Sequence, residues 1–194
     1  MRKITLTIIA TILCLTSDIT WSDDLQKARD ASRRGDYATA LREFKALAEL
    51  GDPEAQYAVA SFYVKGQGIP KDYKTAVKWY RLSAEQGHAE SQSNLGFMYL
   101  EGQGVQQNDK TAVKWFRLSA EQGWKPAQIN LGVMYGVGRG VKIDYVYAHM
   151  WAYIASPNFS NKLRDMVEIQ MTAAQLAEAQ ALAQKCIAKK YKGC

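Results

Sequence analysis

The side chains that could carry acid–base, nucleophilic or metal chemistry are few in this sequence. Its 194 residues include two histidines, His88 and His149, and no acid or nucleophile recurs beside them at a spacing typical of a catalytic triad. The sequence contains neither H-E-x-x-H nor C-x-x-C, the local spacings that bring metal ligands together. We therefore expect no enzymatic activity, no metal site and no cofactor.

Two cysteines near the C-terminus, Cys186 and Cys194, could form a disulfide in an oxidising compartment. Eight residues of continuous helix would separate their Cα atoms by about 12 Å, whereas a disulfide allows no more than roughly 7 Å. A bridge therefore requires the helix to end by about Lys190, and Gly193 would let the chain fold back. A buried Cys186 with a free Cys194 fits the sequence equally well, so both arrangements stay open.

An internal repeat reveals the elements that must hold these side chains. The segment TAVKWYRLSAEQG at 75–87 returns as TAVKWFRLSAEQG at 111–123, which is an offset of 36 residues. A period of this length predicts stacked helix-turn-helix units, each burying its apolar face against its neighbours. The same offset aligns one set of tyrosines and two sets of glycines: Tyr63, Tyr99 and Tyr135; Gly66, Gly102 and Gly138; Gly68, Gly104 and Gly140.

One unit, residues 91–123, contains two stripes of packing residues at helical spacing. Gly102 and Gly104 are predicted to end the first helix, because glycine adopts positive φ without steric cost. Asn108 suits the start of the second helix, where its short polar side chain can accept from a free backbone N–H. The two stripes are Leu95, Met98 and Tyr99 in the first helix, and Ala112, Trp115, Phe116 and Ser119 in the second.

Several residues at repeat spacing have a packing explanation. Gly96 and Gly132 are predicted to let neighbouring helices approach closely, which offsets the low helix propensity of glycine. Trp79, Trp115 and Trp151 are predicted to lie in the core. The Gly-x-Gly triplets follow a helix and lack the Lys-Ser/Thr of a phosphate-binding loop, so we interpret them as turns.

The segment AQINLGVMYGVGRGVKIDYVYAHMW, residues 127–151, resembles the Sel1-like repeat, a relative of the tetratricopeptide repeat. The resemblance covers about residues 51–157. It rests on the pattern A-x-x-x-L-G-x-x-Y-x-x-G-x-G-V, followed by an acidic or amide cap and A-x-x-W. It implies an all-α fold, a right-handed α-solenoid of helix-turn-helix repeats with a C-terminal capping helix.

The predicted organisation has four parts. Residues 1–22 form a signal peptide, 23–51 a tetratricopeptide-like hairpin, 52–157 the Sel1-like repeats and 158–194 the C-terminal capping helices. In the last part, Thr172 and Gln175 have the spacing of a capping box, and the apolar stripe that follows ends at Cys186. Solenoids need such terminal caps to stay soluble.

The N-terminal residues are typical of a secretory signal peptide. Arg2 and Lys3 precede the apolar run ITLTIIATILCLT, which is too short to span a bilayer comfortably. The small residues Thr20 and Ser22 stand at −3 and −1 of a cleavage site before Asp23. We expect a periplasmic or secreted protein without stable membrane insertion after signal removal. An uncleaved anchor is the alternative.

The charge balance does not favour a nucleic-acid partner. The net charge is +6, and removal of residues 1–22 would lower it by one, which is only mildly basic. A group of lysines near the C-terminus could meet an anionic surface, but such a run is more often a solvated helix end stabilised by the helix dipole. These lysines are Lys185, Lys189, Lys190 and Lys192.

The resemblance also implies where a partner would bind. Stacked hairpins form a groove lined by the first helix of each unit, and a largely apolar lining suits a docked peptide or helix. We therefore expect a non-enzymatic scaffold or adaptor for a protein or peptide partner. By analogy with the tetratricopeptide repeat, the groove residues are Tyr57, Ser61, Val64 and Lys65; Ser93, Phe97, Leu100 and Glu101; and Ile129, Val133, Gly136 and Val137.

A second hypothesis is a secreted protein that binds or hydrolyses cell-wall or β-lactam compounds. It arises because some cysteine-rich Sel1-like proteins are associated with penicillin binding. Those proteins carry a cysteine pair within each repeat, and the repeats of this chain contain none. The sequence therefore favours the scaffold.

Overall fold

A computed structural model of the chain describes residues 23–156 and 162–194. The predicted signal peptide at 1–22, and residues 158–161 of the predicted capping segment, lie outside the described residues. The chain divides into two compact units, Met1–Asp72 and Tyr73–Cys194. Every regular element in the described part of both units is an α-helix.

The first unit contains three described helices: α1 (23–33), α2 (Tyr37–Glu49) and α3 (Pro53–Lys65). Asp36 caps α2 by accepting a hydrogen bond from the Thr39 backbone N–H at 3.1 Å. That bond lowers the pKa of Asp36. Helices α2 and α3 pack together, with the rings of Phe44 and Phe62 centred 6.0 Å apart.

The second unit is a series of helices in which each packs against the next as far as α9, and α10 packs against α8. Each hairpin thus buries its apolar face against the hairpins beside it, as the repeat predicts. The helices are α4 (Tyr73–Glu85), α5 (Ala89–Glu101), α6 (Asp109–Ala120), α7 (Lys125–Val137), α8 (Tyr145–Ala155), α9 (Lys162–Glu168) and α10 (Ala173–Ala188).

Two caps predicted from the sequence are confirmed. The Asn108 side chain accepts from the Thr111 backbone N–H at 2.9 Å and begins α6. Thr172 and Gln175 form a reciprocal capping box at the start of α10. Each of these short side chains satisfies a backbone donor that the first turn of a helix leaves unpaired.

The two glycines of each Gly-x-Gly turn have different roles. Gly102 ends α5 in the left-handed conformation, at φ 67°. Gly104 also has positive φ, and a Cβ added there would lie 2.3 Å from the Tyr73 carbonyl oxygen at the start of α4. Gly140 meets Asp109 at the start of α6 in the same way, at 2.5 Å. The second glycine therefore lets each turn pack on the second helix of the preceding unit.

The core of the second unit differs from prediction at two tryptophans. Trp151 is buried, whereas Trp79 and Trp115 are only half-buried. Phe116 takes the fully buried position on α6, and its ring lies 3.0 Å from where a Gly96 Cβ would stand. The prediction of close approach at Gly96 is thus confirmed. Trp115 lies one residue, or about 100° of helical rotation, from Phe116 and so falls at the edge of the buried stripe.

The C-terminal tail folds back on the end of α10. The helix ends at Ala188, and Lys190 and Tyr191 adopt positive φ values of 51° and 68°. This reversal brings the Cα atoms of Cys186 and Cys194 to 5.6 Å, and their sulfur atoms form a disulfide. The Tyr191 ring lies 3.0 Å from where a Gly123 Cβ would stand, so the tail packs against the end of the second repeat.

Candidate functional site

The first helices of two successive repeats in the second unit expose apolar side chains at matching positions. Phe97 on α5 and Val133 on α7 are 36 residues apart, and their exposed fractions are 45% and 39%. Ile129, one turn before Val133, is 42% exposed. Both helices pack against α6. We call Phe97, Ile129 and Val133 the apolar surface.

The other predicted groove residues of the second unit differ in exposure. Glu101 is exposed at the end of α5, and Leu100 is half-buried against the core. Ser93 is the exception, because it is only 5% exposed and does not belong to the accessible surface. Its side chain is short and α5 packs against helices on both sides, α4 and α6, so its hydroxyl stays below the surface.

A network around Arg139 fixes the positions of the helices that carry the apolar surface. Its guanidinium donates to Asp109 Oδ1 at 2.9 Å and to the Leu100 carbonyl oxygen at 3.0 Å. The Asp109 carboxylate raises the pKa of Arg139, so the guanidinium stays charged. Arg139, the second residue after α7, thereby ties the end of that helix to the end of α5 and the start of α6.

In the first unit, three predicted groove residues line one cleft of about 280 Å³. Tyr57, Ser61 and Lys65 form its α3 side. Val64 is half-buried and does not line the cleft. Compared with the apolar surface of the second unit, this cleft is mixed, because Phe44 and Phe62 line it together with charged and polar side chains.

Helix α1, which belongs to the predicted tetratricopeptide-like hairpin, also lines this cleft. Arg29, Ser32 and Arg33 line it. Arg29 pairs with Glu54 at 3.2 Å and Arg33 with Asp30 at 2.9 Å. The spacing of Arg29 and Arg33, one helical turn apart, is the signal that could have placed both on one face.

The two histidines have separate structural contacts. His88 precedes α5 and accepts through Nδ1 from the Ser91 backbone N–H at 3.2 Å, so it caps the helix. His149 is buried on α8, and its Nε2 lies 2.8 Å from Glu168 Oε1 on α9. Nothing in the sequence indicated the contact between His149 and Glu168, because the two residues are 19 positions apart and α9 lies outside the repeats.

Two further features of the described residues concern metal binding and membrane insertion. Within residues 23–156 and 162–194, no cluster of three histidine, cysteine or acidic side chains has a geometry that could hold a metal ion. Among the helices of the same ranges, none has both the length and the apolar character required to cross a bilayer.

Comparison with known proteins identifies relatives. Three consecutive segments, residues 53–88, 89–124 and 125–156, match the Sel1 repeat family. None of the curated proteins matches the chain. One similar crystal structure is that of a protective antigen, displaying an SLR fold, that is present in uropathogenic Escherichia coli strains. The two chains are 32% identical with a TM-score of 0.73, and the match covers 86% of this chain and 41% of that chain. This chain is also similar to the crystal structure of a Sel1 repeat protein from Oxalobacter formigenes, at 26% identity and a TM-score of 0.70, covering 83% of this chain and 74% of that chain.

These matches confirm the predicted all-α solenoid fold of Sel1-like helix-turn-helix repeats. The chain spans less than half the length of the Escherichia coli protein. Sel1 repeats generally serve as scaffolds for protein–protein interaction and are typically non-enzymatic. Since the three matched segments together make up more than half of the sequence, this chain belongs to the Sel1 repeat family.

Proposed function

We propose that this protein is an exported, non-enzymatic adaptor that binds a protein or peptide partner on its apolar surface. The observation that carries the proposal is the exposure of Phe97 and Val133 at equivalent positions of successive repeats. Exposed apolar side chains that recur on a rigid scaffold favour an interaction site over chance exposure.

The chemistry of the apolar surface suits an amphipathic segment. A partner that covers Phe97, Ile129 and Val133 would remove apolar area from water, and because each is already more than half covered, each would contribute less than half of the about 1.5–3 kcal/mol that full burial of such a side chain gives. Glu101, exposed at the end of α5, supplies a polar contact at the margin. An amphipathic helix or strand that presents apolar residues on one face meets these requirements.

Two features support the export part of the proposal. Residues 1–22 have the basic start, apolar run and small-residue cleavage site of a secretory signal. The Cys186–Cys194 disulfide would persist in an oxidising compartment such as the periplasm or the extracellular space, and would be reduced in the cytosol.

The binding proposal is tested with Phe97→Glu, which places a charge on the α5 part of the apolar surface. Docking would then require desolvation of a carboxylate, so we expect binding to weaken by at least about tenfold. Ile169→Glu is the matched control, because Ile169 is an exposed isoleucine between α9 and α10, outside the apolar surface. The measurement is quantitative mass spectrometry of proteins captured from the native envelope by the wild type and both variants.

The expected result is a partner captured by the wild type and by Ile169→Glu but depleted with Phe97→Glu. Circular dichroism and thermal melting should show that Phe97→Glu keeps its helices, because the side chain it replaces is exposed. Equal capture by a folded Phe97→Glu variant would show that the apolar surface does not bind the partner.

A further inference from the structure

A second surface recurs in the repeats on different helices from those that carry the apolar surface. Lys74, Lys78 and Leu82 stand at i, i+4 and i+8 on α4, and so lie along one face of that helix. Lys110, Lys114 and Leu118 occupy the same positions on α6. We call these six residues the lysine–leucine surface.

Both leucines of this surface are exposed although they occupy the same position in successive repeats. Leu82 and Leu118 are each 46% exposed, and the four lysines are exposed as well. Beside α6, Leu118 and Val113 line an apolar cleft of about 570 Å³, and Lys110, Lys114 and Arg117 line it as well. Such a cleft can receive an apolar side chain while cations surround its mouth.

In the part of the chain that the structure describes, the lysines of this surface have no ion-pair partner. The nearest acid of α6, Asp109, is engaged by Arg139 at 2.9 Å. Glu85 and Glu121 follow the two leucines near the C-terminal ends of their helices, so each face stays net positive along its first two turns.

The arginines of the two helices are held in the same way. Arg81 donates to the Tyr99 hydroxyl at 2.6 Å, and Arg117 donates to the Tyr135 hydroxyl. Each bond joins a second helix to the first helix of the next repeat. Helices α4 and α6, which carry the lysines and leucines, are therefore each bonded in the same way to the first helix of the following repeat.

From these observations we infer that the lysine–leucine surface binds an acidic protein segment with apolar side chains, through two equivalent contacts on α4 and α6. Carboxylates of the partner would pair with the unpaired lysines, and its apolar residues would cover Leu82 and Leu118. Two linked contacts of this kind raise the overall affinity above that of either one alone. This inference is independent of the apolar surface.

The leucines distinguish a protein segment from other anionic partners. A nucleic-acid backbone would pair with the lysines but would leave Leu82, Leu118 and the apolar cleft uncovered. An anionic bilayer would also pair with lysines, and a surface that inserts in membranes usually carries a wider apolar face than one leucine per helix. An acidic, partly apolar segment accounts for both residue types.

The test uses the chain from residue 23 onward as bait for a random peptide display library. Selected peptides are titrated by fluorescence anisotropy against the wild type, Lys78→Glu/Lys114→Glu and Leu118→Ser. Lys185→Glu/Lys192→Glu is the matched control, because it makes the same change in net charge on the C-terminal tail. Mixed-sequence single-stranded DNA and phosphatidylglycerol vesicles are titrated in parallel.

We expect selected peptides rich in aspartate, glutamate and large apolar residues. Their affinity should fall by about tenfold or more in Lys78→Glu/Lys114→Glu, fall also in Leu118→Ser, and weaken as salt screens the charges. The tail control should bind like the wild type. Lys78→Gln/Lys114→Gln removes the two charges without reversing them, so peptide affinity should fall by an intermediate amount. Because this milder change is less disruptive to folding, it separates a loss of charge pairing from a folding defect.

Two results would overturn the inference. One is selection of peptides without acidic residues, or of acidic peptides that bind the lysine variants as tightly as the wild type. The other is binding of DNA or vesicles through Lys78 and Lys114 when no acidic peptide is selected. Phe97→Glu should leave this binding unchanged, so failure here and failure of the proposed function are separate outcomes.

Discussion

At the scale of single residues, Gly102 and Gly104 show that the same amino acid can be required for two reasons. Gly102 adopts φ 67°, and its nearest neighbour is the Gln107 side chain, which would stand 3.3 Å from an added Cβ. Gly104 adopts φ 71° and faces the Tyr73 backbone at 2.3 Å, a distance that no Cβ can occupy. The first glycine serves the turn, and the second serves both the turn and the contact between repeats.

The two glycines should therefore differ in their tolerance of alanine. Gly102→Ala adds left-handed strain of about 1–2 kcal/mol to the folded state. Gly104→Ala adds the same strain and also forces the turn away from α4, so we expect a loss of at least about 3 kcal/mol. Urea denaturation of both variants measures the difference, and equal losses would contradict the close-contact role of Gly104.

The aromatic pair on α6 should behave unequally as well. Phe116 is fully buried, so Phe116→Ala should lower the free energy of unfolding by about 3–5 kcal/mol. Trp115 is half-buried and still contacts solvent, so Trp115→Ala should cost about 1–2 kcal/mol. The measurement is again the shift in denaturation midpoint. A larger decrease in the free energy of unfolding for Trp115→Ala than for Phe116→Ala would contradict the half-buried placement of Trp115.

At the scale of elements, the ends of the helices control local stability. Asp36 begins α2, and the bond from Thr39 lowers its pKa below the ordinary value of 3.8. A carboxyl whose pKa is lower in the folded state stabilises it above the unfolded pKa. The stabilisation is lost as the pH falls from about that value through the folded pKa.

This sign predicts a specific acid response of the first unit. Protonation of Asp36 at low pH should loosen the start of α2, and Asp36→Asn should remove that contribution to the pH dependence because asparagine caps without titrating. Hydrogen exchange of the α2 amides as a function of pH measures it. An unchanged acid profile in Asp36→Asn would show that the cap does not titrate in this range.

The disulfide acts on the last element. Closing the short loop from Cys186 to Cys194 should stabilise the end of α10 by about 2–3 kcal/mol by the chain-entropy estimate. Reduction, or Cys194→Ser, should speed hydrogen exchange in α10 and the tail and leave α4 to α6 protected. Two thiols that alkylate freely in the native, non-reduced protein would contradict the bridge.

At the scale of the whole molecule, the export proposal makes a prediction about the mature chain. Cleavage after Ser22 removes Arg2, Lys3 and the apolar run, so the protein should begin at Asp23 and be recovered without membranes. Intact mass spectrometry of the periplasmic and secreted fractions tests this. A membrane-bound product that retains residues 1–22 would support the uncleaved anchor instead.

The sequence alone was sufficient for the repeat architecture, the Sel1-like resemblance and the helix caps at Asn108 and Thr172. These features follow from local spacing: a helix turns every 3.6 residues, and a cap bonds a residue three positions away. The resemblance to the tetratricopeptide repeat assigned Phe97, Ile129 and Val133 to groove positions, and all three side chains are exposed. The repeat is visible as a recurrence at 36 residues, and the helix and cap predictions depend on residues within one or two turns of each other.

Tertiary structure decided what depends on distant residues. It buried Ser93, chose Phe116 over Trp115 for the core, added Arg29 and Arg33 to the cleft of the first unit, and brought Cys194 back to Cys186. It also showed why the second glycine of each turn must lack a side chain. These outcomes depend on how closely separate helices pack and on where the chain reverses. Spacing within a single helix cannot specify them, because the neighbouring atoms come from residues far away in the sequence.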